Sequence, residues 1–437
     1  MSMELLNAMN GASCQCGRPH RFTADVVIGK GVLAQIPDYI RKHGGTKVFV
    51  LADRNTYRAA GEKVLQILQQ AGIAYSTYTF PEETLEPDEK SVGSAVMHYD
   101  TSCNMILAVG SGVINDIGKI LSHMTAKPYM IVGTAPSMDG YASGSSSMTR
   151  DGLKISLPSR SADVIVGDTE ILCQAPLHMM KAGLGDMLAK YVSICEWRIS
   201  HLITGEYYCE NVAQLIRSAL QRCADNAEGL LRREEEAVQA VFEGLVIGGV
   251  AMNYAGLSRP ASGVEHYISH VIDMRAVEFG TAMDLHGIQC AIGTLIAAGA
   301  YEKLKAITPD REKALTHAAT FDYTVWQQTL RELLGKGAES MIALEAREGK
   351  YDVTAHGKRL EVILENWEQI LKIIHEEIPS LQTLNALMQT IEAPKTLGQI
   401  GVEEALLPTI FRATKDIRDK YVLSRLAWDL GIEELLI

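Results

Sequence analysis

Three histidines and one aspartate in the middle of the sequence are residue types that bind a catalytic divalent metal. His266 and His270 are four residues apart, which places both on one face of a predicted helix, and His286 lies at the predicted start of the next. Asp186 lies among apolar residues at another predicted helix start, where its carboxylate would alternatively cap the helix. One carboxylate and two or three imidazoles would leave a coordination position open for substrate. From spacing alone, a metal site and hydrogen-bonded core histidines are equal alternatives.

A glycine turn in the first half of the chain predicts a phosphate-binding site. The apolar residues 105–109 predict a buried strand, and Gly110 and Gly112 follow it before a helical pattern that carries Asp116 and Lys119. Glycines let the backbone approach a phosphate, and the start of a helix offers unpaired N–H groups and the positive end of its dipole. This strand, turn and helix would hold a cofactor.

A second polar loop follows the next predicted strand. Residues 129–132 form another apolar run, and residues 134–147 form a loop of small and hydroxyl-bearing residues that contains Asp139. Loops that follow neighbouring parallel strands meet in one crevice at the carboxyl edge of the sheet. We therefore expect the substrate to react beside this second loop.

Asp53 ends an earlier predicted strand. A carboxylate at such a position can accept hydrogen bonds from the ribose of a dinucleotide. The alternative, equally supported by the local sequence, is an acid at a helix start where Asn55 and Thr56 act as caps.

The cysteines indicate a reducing compartment. Most of the eight are isolated, which is typical of reduced thiols in a cytoplasmic protein. Cys14, Cys16 and His20 are the exception and could bind a metal, but they lack a fourth ligand at the usual spacing. An N-terminal segment without a metal is the favoured interpretation.

Composition and pattern predict a two-domain protein outside the nucleic-acid-binding and membrane-spanning classes. The 437 residues exceed one ordinary core, and the net charge of −12 disfavours nucleic acid as a partner. The apolar stretches fall short of the ~20 residues that span a bilayer, and no secretion signal is recognisable. Strands and helices alternate up to residue 170, which predicts an α/β domain with a mostly parallel sheet over residues 1–170. Residues 171–437 are predicted to form an all-α domain, in which the charged residues 302–358 would be a solvated helical insertion.

Five motifs in their order resemble the superfamily of metal-dependent alcohol dehydrogenases and dehydroquinate synthases. The motifs are Gly110-Ser111-Gly112 with Asp116 and Lys119, then Thr134-Ala135-Pro136-Ser137 with Asp139, Gly140 and Ser143, then Gly185-Asp186, then Glu265-His266 with His270, and finally Leu285-His286-Gly287. Within that superfamily the chain is most similar to the bacterial branch of the sn-glycerol-1-phosphate dehydrogenases. One departure is Gly110-Ser111-Gly112-Val113 in place of the usual Gly-Gly-Gly-Ser, which keeps both outer glycines.

The resemblance implies a dehydroquinate synthase-like fold, with a nucleotide-binding α/β domain and a metal-binding helical domain. It implies NAD(H) as cofactor, with NADP(H) as a weaker substitute because a carboxylate beside the ribose repels a 2′-phosphate. The residues that would hold it are Asp53, Gly110, Gly112, Val113, Ile114, Asn115, Asp116, Thr134, Ala135, Pro136, Ser137 and Ser143. Asp186, His266 and His286 would bind one divalent metal, zinc or nickel, and Asp139, Asp186 and His270 would contact the substrate.

The implied reaction is the reversible reduction of dihydroxyacetone phosphate to sn-glycerol 1-phosphate by a homodimeric cytoplasmic enzyme. A metal-dependent dehydrogenase of glycerol or another unphosphorylated polyol is the first alternative, and a lyase of the dehydroquinate synthase type is the second. A basic pocket for the substrate phosphate would distinguish the implied reaction from the polyol dehydrogenase. Arg259, Lys154 and Arg150 are the candidates for this pocket.

Overall fold

The computed structural model describes residues 2–437, which form two compact units. The first unit comprises the residues up to Met187 together with Gln214–Leu257, and the second comprises Leu188–Ala213 and Ser258–Ile437.

A six-stranded parallel sheet forms the centre of the first unit. Its strand order is β1-β8-β5-β4-β2-β3, and a separate antiparallel hairpin pairs β6 with β7. Strands β4, β5 and β8 are buried along their whole length, as expected for apolar strands covered on both faces. The strands are β1 Asp25–Gly29, β2 Lys47–Asp53, β3 Ala74–Phe80, β4 Met105–Gly110, β5 Tyr129–Gly133, β6 Ser145–Arg150, β7 Leu153–Pro158 and β8 Val164–Asp168.

Helices connect these strands and complete the first unit. They are α1 Ser2–Met9, α2 Ile36–Lys42, α3 Arg54–Thr56, α4 Glu62–Gln70, α5 Glu89–His98, α6 Gly112–Thr125, α7 Thr169–Leu172, α8 Leu177–Leu188, α11 Ala227–Leu231 and α12 Glu235–Ala255, while α9 Lys190–Thr204 belongs to the second unit and α10 Glu210–Asp225 spans the division. Helix α12 is long and apolar enough to cross a membrane, but 83% of its most apolar window is buried in the protein, as in a core helix.

The parallel α/β fold predicted for the N-terminal part is confirmed, whereas the compact units divide the chain differently from the predicted boundary at residue 170. Strand β8 does end at Asp168, where the strand pattern stops. Helix α12, however, packs on the sheet, because the ring of Phe242 lies where a side chain on Gly133 or Gly167 would be. Strand β6 also begins inside the predicted loop 134–147.

The second unit is helical, as predicted for the C-terminal part of the chain. Its further helices are α13 Val264–Phe279, α14 His286–Leu304, α15 Arg311–Ala319, α16 Tyr323–Leu334, α17 Ala338–Glu348, α18 Val353–Glu365, α19 Trp367–Glu377, α20 Leu381–Thr390, α21 Leu407–Thr414, α22 Leu423–Asp429 and α23 Glu433–Leu436. The prediction that residues 302–358 are helical is confirmed by α15 to α18, but the prediction that they form a solvated insertion is wrong. Trp326 and Tyr351 are buried there, and the ring of Tyr351 stacks on Phe321 at 3.9 Å and meets Trp428 at 4.8 Å.

Candidate active site

The glycine turn of the first unit has the predicted strand–turn–helix geometry. Strand β4 ends at Gly110 and α6 begins at Gly112, and no side-chain hydrogen bond caps the start of this helix. A Cβ atom on Gly110 would lie 2.4 Å from the Cβ of Ile114, so only glycine fits the turn. The first N–H groups of α6 are thus suited to bind a phosphate.

Direct hydrogen bonds join the turn to the second loop, as the predicted crevice requires. The hydroxyl oxygens of Ser111 and Ser137 lie 2.5 Å apart, and Thr134 donates its N–H to the carbonyl of Gly110. The amide of Asn115 donates to the carbonyl of Gly140 at 3.0 Å. The predicted cofactor residues of both loops therefore lie together in the first unit.

The side chain of Lys119 connects helix α6 to the second loop through hydrogen bonds. Its side chain is fully buried, and Nζ donates to the carbonyl of Ser145 at 2.5 Å, the carbonyl of Gly140 at 3.1 Å and the hydroxyl of Ser143 at 3.1 Å. Nζ also lies 3.0 Å from Oδ1 of Asp116. Asp116 and Ser143, two predicted cofactor residues, are thus held by one buried cation whose role the sequence pattern did not reveal.

Asp139 and Asp186 bring two carboxylates together in the first unit. Their oxygens come within 4.8 Å of each other, and the N–H of Asp139 donates to Oδ2 of Asp186 at 2.9 Å. The predicted placement of Asp186 at a helix start is wrong, because it lies two residues before the end of α8. A helix N-cap therefore does not explain this fully buried acid.

Glycines of α8 and α12 allow the second loop to approach these helices. A Cβ on Gly183 would lie 1.8 Å from the carbonyl oxygen of Pro136, and one on Gly248 would lie 3.2 Å from the Cβ of Asp139. These two glycines have no recognisable sequence signature, because the contact that a helical glycine permits is visible only in the folded structure.

Asp53 adopts the helix-capping geometry that was the alternative to ribose binding. Its Oδ1 accepts the N–H groups of Asn55 at 2.7 Å and Thr56 at 2.8 Å. In return, its own N–H donates to the hydroxyl of Thr56 at 3.0 Å, which completes a capping box. A role of Asp53 in cofactor binding therefore remains a proposal.

In the second unit, helices α13 and α14 bring His266 and His286 together. The backbones approach closely because Gly293 of α14 faces the backbone of Glu265, where a Cβ would meet the carbonyl oxygen at 2.6 Å. The two imidazole rings lie 5.0 Å apart. Nδ1 of His266 bonds to Glu265 Oε1 at 2.8 Å, and Nδ1 of His286 lies 3.1 Å from the hydroxyl of Ser269. Each ring is thus oriented through one nitrogen, as metal-binding histidines are.

His270 and Cys290 complete this cluster. The ring of His270 stacks near His286 at 6.0 Å, and burial, His286 and Arg418 hold its pKa well below the ordinary value. Sγ of Cys290 lies 3.5 Å from Nε2 of His286, and it groups with His266 and His286 within metal-binding distance. Burial opposes ionisation of Cys290, but His266 and His286 lower its pKa overall. Cys290 could have been predicted as a member of this cluster, because it lies four residues after His286 and therefore on the same face of a helix.

Glu196 is a second buried carboxyl near this cluster, in addition to Glu265. Its oxygens accept the N–H groups of Val264 at 3.0 Å and Leu423 at 2.8 Å. Burial and the neighbouring Glu265 raise its pKa to about 8. Glu196 therefore tends to keep its proton near neutral pH, which reduces the negative charge near His266.

The structure excludes one of the three candidates for a phosphate pocket. Arg259 is buried, and it bonds to the carboxylate of Glu206 and the carbonyl of Tyr421. Lys154 and Arg150 lie on the β6–β7 hairpin of the first unit. In the second unit, Arg418 and Lys420 are two further basic residues, and their positive charges lower the pKa of His270.

Comparison with known proteins places this geometry in a family. Residues 27–176 match the model of the family described as iron-containing alcohol dehydrogenase. A glycerol-1-phosphate dehydrogenase (NAD(P)+) of Halalkalibacterium halodurans is 33% identical over 296 residues, which cover 67% of this chain and 74% of the relative. The enzyme of the same name from Methanosarcina mazei is 34% identical over 274 residues, or 62% of this chain and 75% of the relative.

Solved structures agree on the fold. A glycerol dehydrogenase from Schizosaccharomyces pombe aligns with a TM-score of 0.59 at 17% identity, covering 97% of this chain and 92% of that one. A 1,3-propanediol oxidoreductase aligns with a TM-score of 0.60 at 14% identity, covering 94% and 97%. At these identities the structures establish the fold alone, and the sequence relatives establish the family. The chain belongs to the NAD(P)+-dependent glycerol-1-phosphate dehydrogenases, within the fold of the iron-containing alcohol dehydrogenases.

Proposed function

We propose that this enzyme reduces dihydroxyacetone phosphate to sn-glycerol 1-phosphate with NADH and catalyses the reverse reaction with NAD+. The observation that carries the proposal is membership of the glycerol-1-phosphate dehydrogenase family. The enzyme is an oxidoreductase that acts on an alcohol carbon. We further propose a homodimer in the cytoplasm, a location consistent with the reduced thiols of Cys103, Cys195 and Cys223.

The proposed dinucleotide site consists of the glycine turn and the second loop of the first unit. Gly110, Gly112 and the start of α6 would bind the phosphates, and residues 113–116 and 134–137 would line the rest. Support comes from the uncapped helix start and from the Ser111–Ser137 contact that joins the two loops. Asp53 would accept the ribose hydroxyls with the oxygen that its cap does not use, which would favour NADH over NADPH.

The proposed metal ligands are Asp186, His266 and His286. Their chemistry fits a divalent cation, because Glu265 and Ser269 orient the two imidazoles through Nδ1, as in metal-binding histidines whose Nε2 is the ligand atom. When bound, zinc or nickel would supply Lewis-acid polarisation of the substrate C2 oxygen. Cys290 is a further sulfur donor beside His286.

The residues around the metal would bind and orient the substrate. Asp139 would accept a terminal hydroxyl of the substrate, and its backbone bond to Asp186 would fix the position of that carboxylate. His270 is neutral at physiological pH, so it would hydrogen-bond the substrate and exclude water without adding charge. Arg418 and Lys420 would bind the phosphate, since both are basic side chains whose positive charges act on His270.

The competing activity is a glycerol dehydrogenase that acts on an unphosphorylated polyol. The cations near His270 favour a phosphorylated substrate, because a neutral triol gains little from them. The dehydroquinate synthase alternative is disfavoured by the family membership.

One assay tests the proposal. The metal-reconstituted enzyme is mixed with NADH and either dihydroxyacetone phosphate or dihydroxyacetone, and NADH oxidation is followed. We expect kcat/KM to be at least about 100-fold higher for the phosphorylated ketone, which corresponds to about 2.7 kcal/mol. Equal or better use of dihydroxyacetone would establish the polyol dehydrogenase instead.

A further inference from the structure

We propose that Cys14, Cys16 and His20 bind a structural zinc ion in the N-terminal segment of the first unit, separate from the metal of the active site. The sequence alone favoured a segment without metal, because three ligands without a fourth are weak evidence. The structure brings one ligand atom of each of the three residues within 4.8 Å of the others. A segment of seven residues, 14–20, thus places three potential ligand atoms close enough to share one metal ion.

The measured separation matches zinc geometry. Sγ of Cys16 and Nε2 of His20 lie 3.4 Å apart. With Zn–S of about 2.3 Å, Zn–N of about 2.0 Å and tetrahedral angles, the two ligand atoms would be about 3.5 Å apart. The cluster would therefore accept the ion with almost no movement of these two side chains.

The backbone is shaped to bring the three ligands together. The N–H of Gly17 donates to the carbonyl of Cys14 at 3.0 Å, and Gly17 has a φ of 77°, so a tight turn directly follows Cys16. The segment is closed at its base, where Asn10 and Phe22 exchange two hydrogen bonds of 2.7 and 2.9 Å.

The local electrostatics suit a thiolate and imidazole site. His20 is only 1% exposed, so its ring is held in place by the surrounding protein. Zinc binding would release the protons of the two thiols. Arg18 lies beside the cluster and would compensate the negative charge of the thiolates. Soft sulfur ligands with an imidazole select zinc over magnesium or calcium.

The ion would fasten this segment to the end of helix α12. The guanidinium of Arg18 donates to the carbonyl of Ala255 at 2.8 Å, and the ring of His20 packs on Tyr254 at 5.0 Å. Zinc would fix both contacts by closing the segment that carries them. Its role is structural, so it is not expected to touch substrate or cofactor.

Zinc counting on the full chain tests the proposal. Wild type, Cys14→Ser/Cys16→Ser, His20→Gln and the control Cys173→Ser are stripped with chelator, reloaded with Zn²⁺, desalted and analysed by mass spectrometry for zinc per chain. Cys173 is a half-buried cysteine of the same unit outside the cluster. We expect the double variant and His20→Gln to bind one equivalent less than wild type, and Cys173→Ser to match wild type. Equal zinc in the double variant and wild type would overturn the proposal.

X-ray absorption supplies a second readout, made on protein that keeps Cys14, Cys16 and His20 intact. The extended X-ray absorption spectrum of the zinc-loaded enzyme in a His266→Ala background should show at least two sulfur ligands at about 2.3 Å. A spectrum with only nitrogen and oxygen ligands, or Cys14 and Cys16 found as a disulfide by peptide mass, would contradict it. The His266→Ala background removes the proposed catalytic metal. A failure of the N-terminal zinc site can therefore be distinguished from a failure of the catalytic metal site.

Discussion

Lys119 is the residue on which the geometry of the proposed cofactor site most depends. We expect Lys119→Met to lower the free energy of unfolding by about 3–5 kcal/mol, because it leaves the oxygens of Asp116, Gly140 and Ser145 without their buried cation. NADH affinity should fall as well, since the second loop loses its anchor. Urea denaturation and NADH fluorescence titration measure the two effects.

The control for this variant is Lys63→Met. Lys63 forms an exposed ion pair with Glu170 at 3.5 Å, which is worth less than about 1 kcal/mol. If Lys119→Met were no more destabilising than Lys63→Met, the buried cation would not organise the loops.

Lys420 has a pH dependence that tests the phosphate pocket. Its Nζ donates to the hydroxyl of Ser262 at 2.6 Å, and burial and the nearby Arg259 lower its pKa to about 7, with Arg418 acting in the same direction and Glu265 opposing it. Because the depressed pKa removes the charge above neutrality, its attraction for a phosphate should be strong at pH 6 and weak at pH 8.5. We expect Lys420→Met to raise KM for dihydroxyacetone phosphate about 10- to 100-fold at pH 6, the value of a charged hydrogen bond, and by less at pH 8.5.

Steady-state kinetics at the two pH values check this expectation, with the exposed Lys358→Met as the control. The KM for dihydroxyacetone should change little in either variant. An equal rise of KM for both ketones would indicate that Lys420 supports the fold and not the phosphate.

The types of the key residues could be predicted from sequence, whereas their partners could not. His266, His270 and His286 are recognisable by spacing, and the structure brings their rings together. Arg259 was a phosphate candidate until its burial and its pairing with Glu206 became visible. A charge on the sequence does not show which countercharge the fold brings to it.

At the scale of elements, close contact between α8 and the second loop places Asp186 beside Asp139. Gly183→Ala would put a methyl group 1.8 Å from the carbonyl oxygen of Pro136. We expect a loss of about 3 kcal/mol or more in stability and a large loss of NADH affinity, because the backbone of the loop must move.

Gly93→Ala is the matched control for the same substitution. Gly93 lies inside helix α5 with nothing within 4 Å of the added methyl group, so the change should stabilise the protein by about 0.5–1 kcal/mol. Thermal unfolding of the two variants in parallel measures the expected loss of stability for Gly183→Ala and the expected gain for Gly93→Ala. A mild effect at Gly183 would mean that the loop is not held against α8.

Periodicity predicted the sheet and its helices because buried parallel strands are continuous apolar runs, as in β4, β5 and β8. It failed for β6, whose serines read as a loop, since a hairpin outside the main sheet needs no apolar run. It also failed for Asp186, because glycine and an acid suggest a helix start while α8 begins nine residues earlier.

At the scale of the whole molecule, the proposed metal couples to the stability of the fold, with Asp186, His266 and His286 as its proposed ligands. A ligand that binds only the folded state stabilises it by about 2.7 kcal/mol at 100 times its Kd. We therefore expect chelator to lower the unfolding temperature of the wild type and added Zn²⁺ or Ni²⁺ to restore it.

Variants separate metal ligands from substrate contacts in this experiment. His266→Ala and His286→Ala should lose most of the metal-dependent shift in unfolding temperature together with turnover, because each removes a ligand that Glu265 or Ser269 orients. Asp139→Asn should keep the shift and lose turnover, since only a substrate contact would be removed. His270→Ala should behave like Asp139→Asn, and loss of the shift there would make His270 a ligand. A wild type that keeps full activity after complete removal of metal would refute the Lewis-acid mechanism, while the family fold and the dinucleotide site would stand.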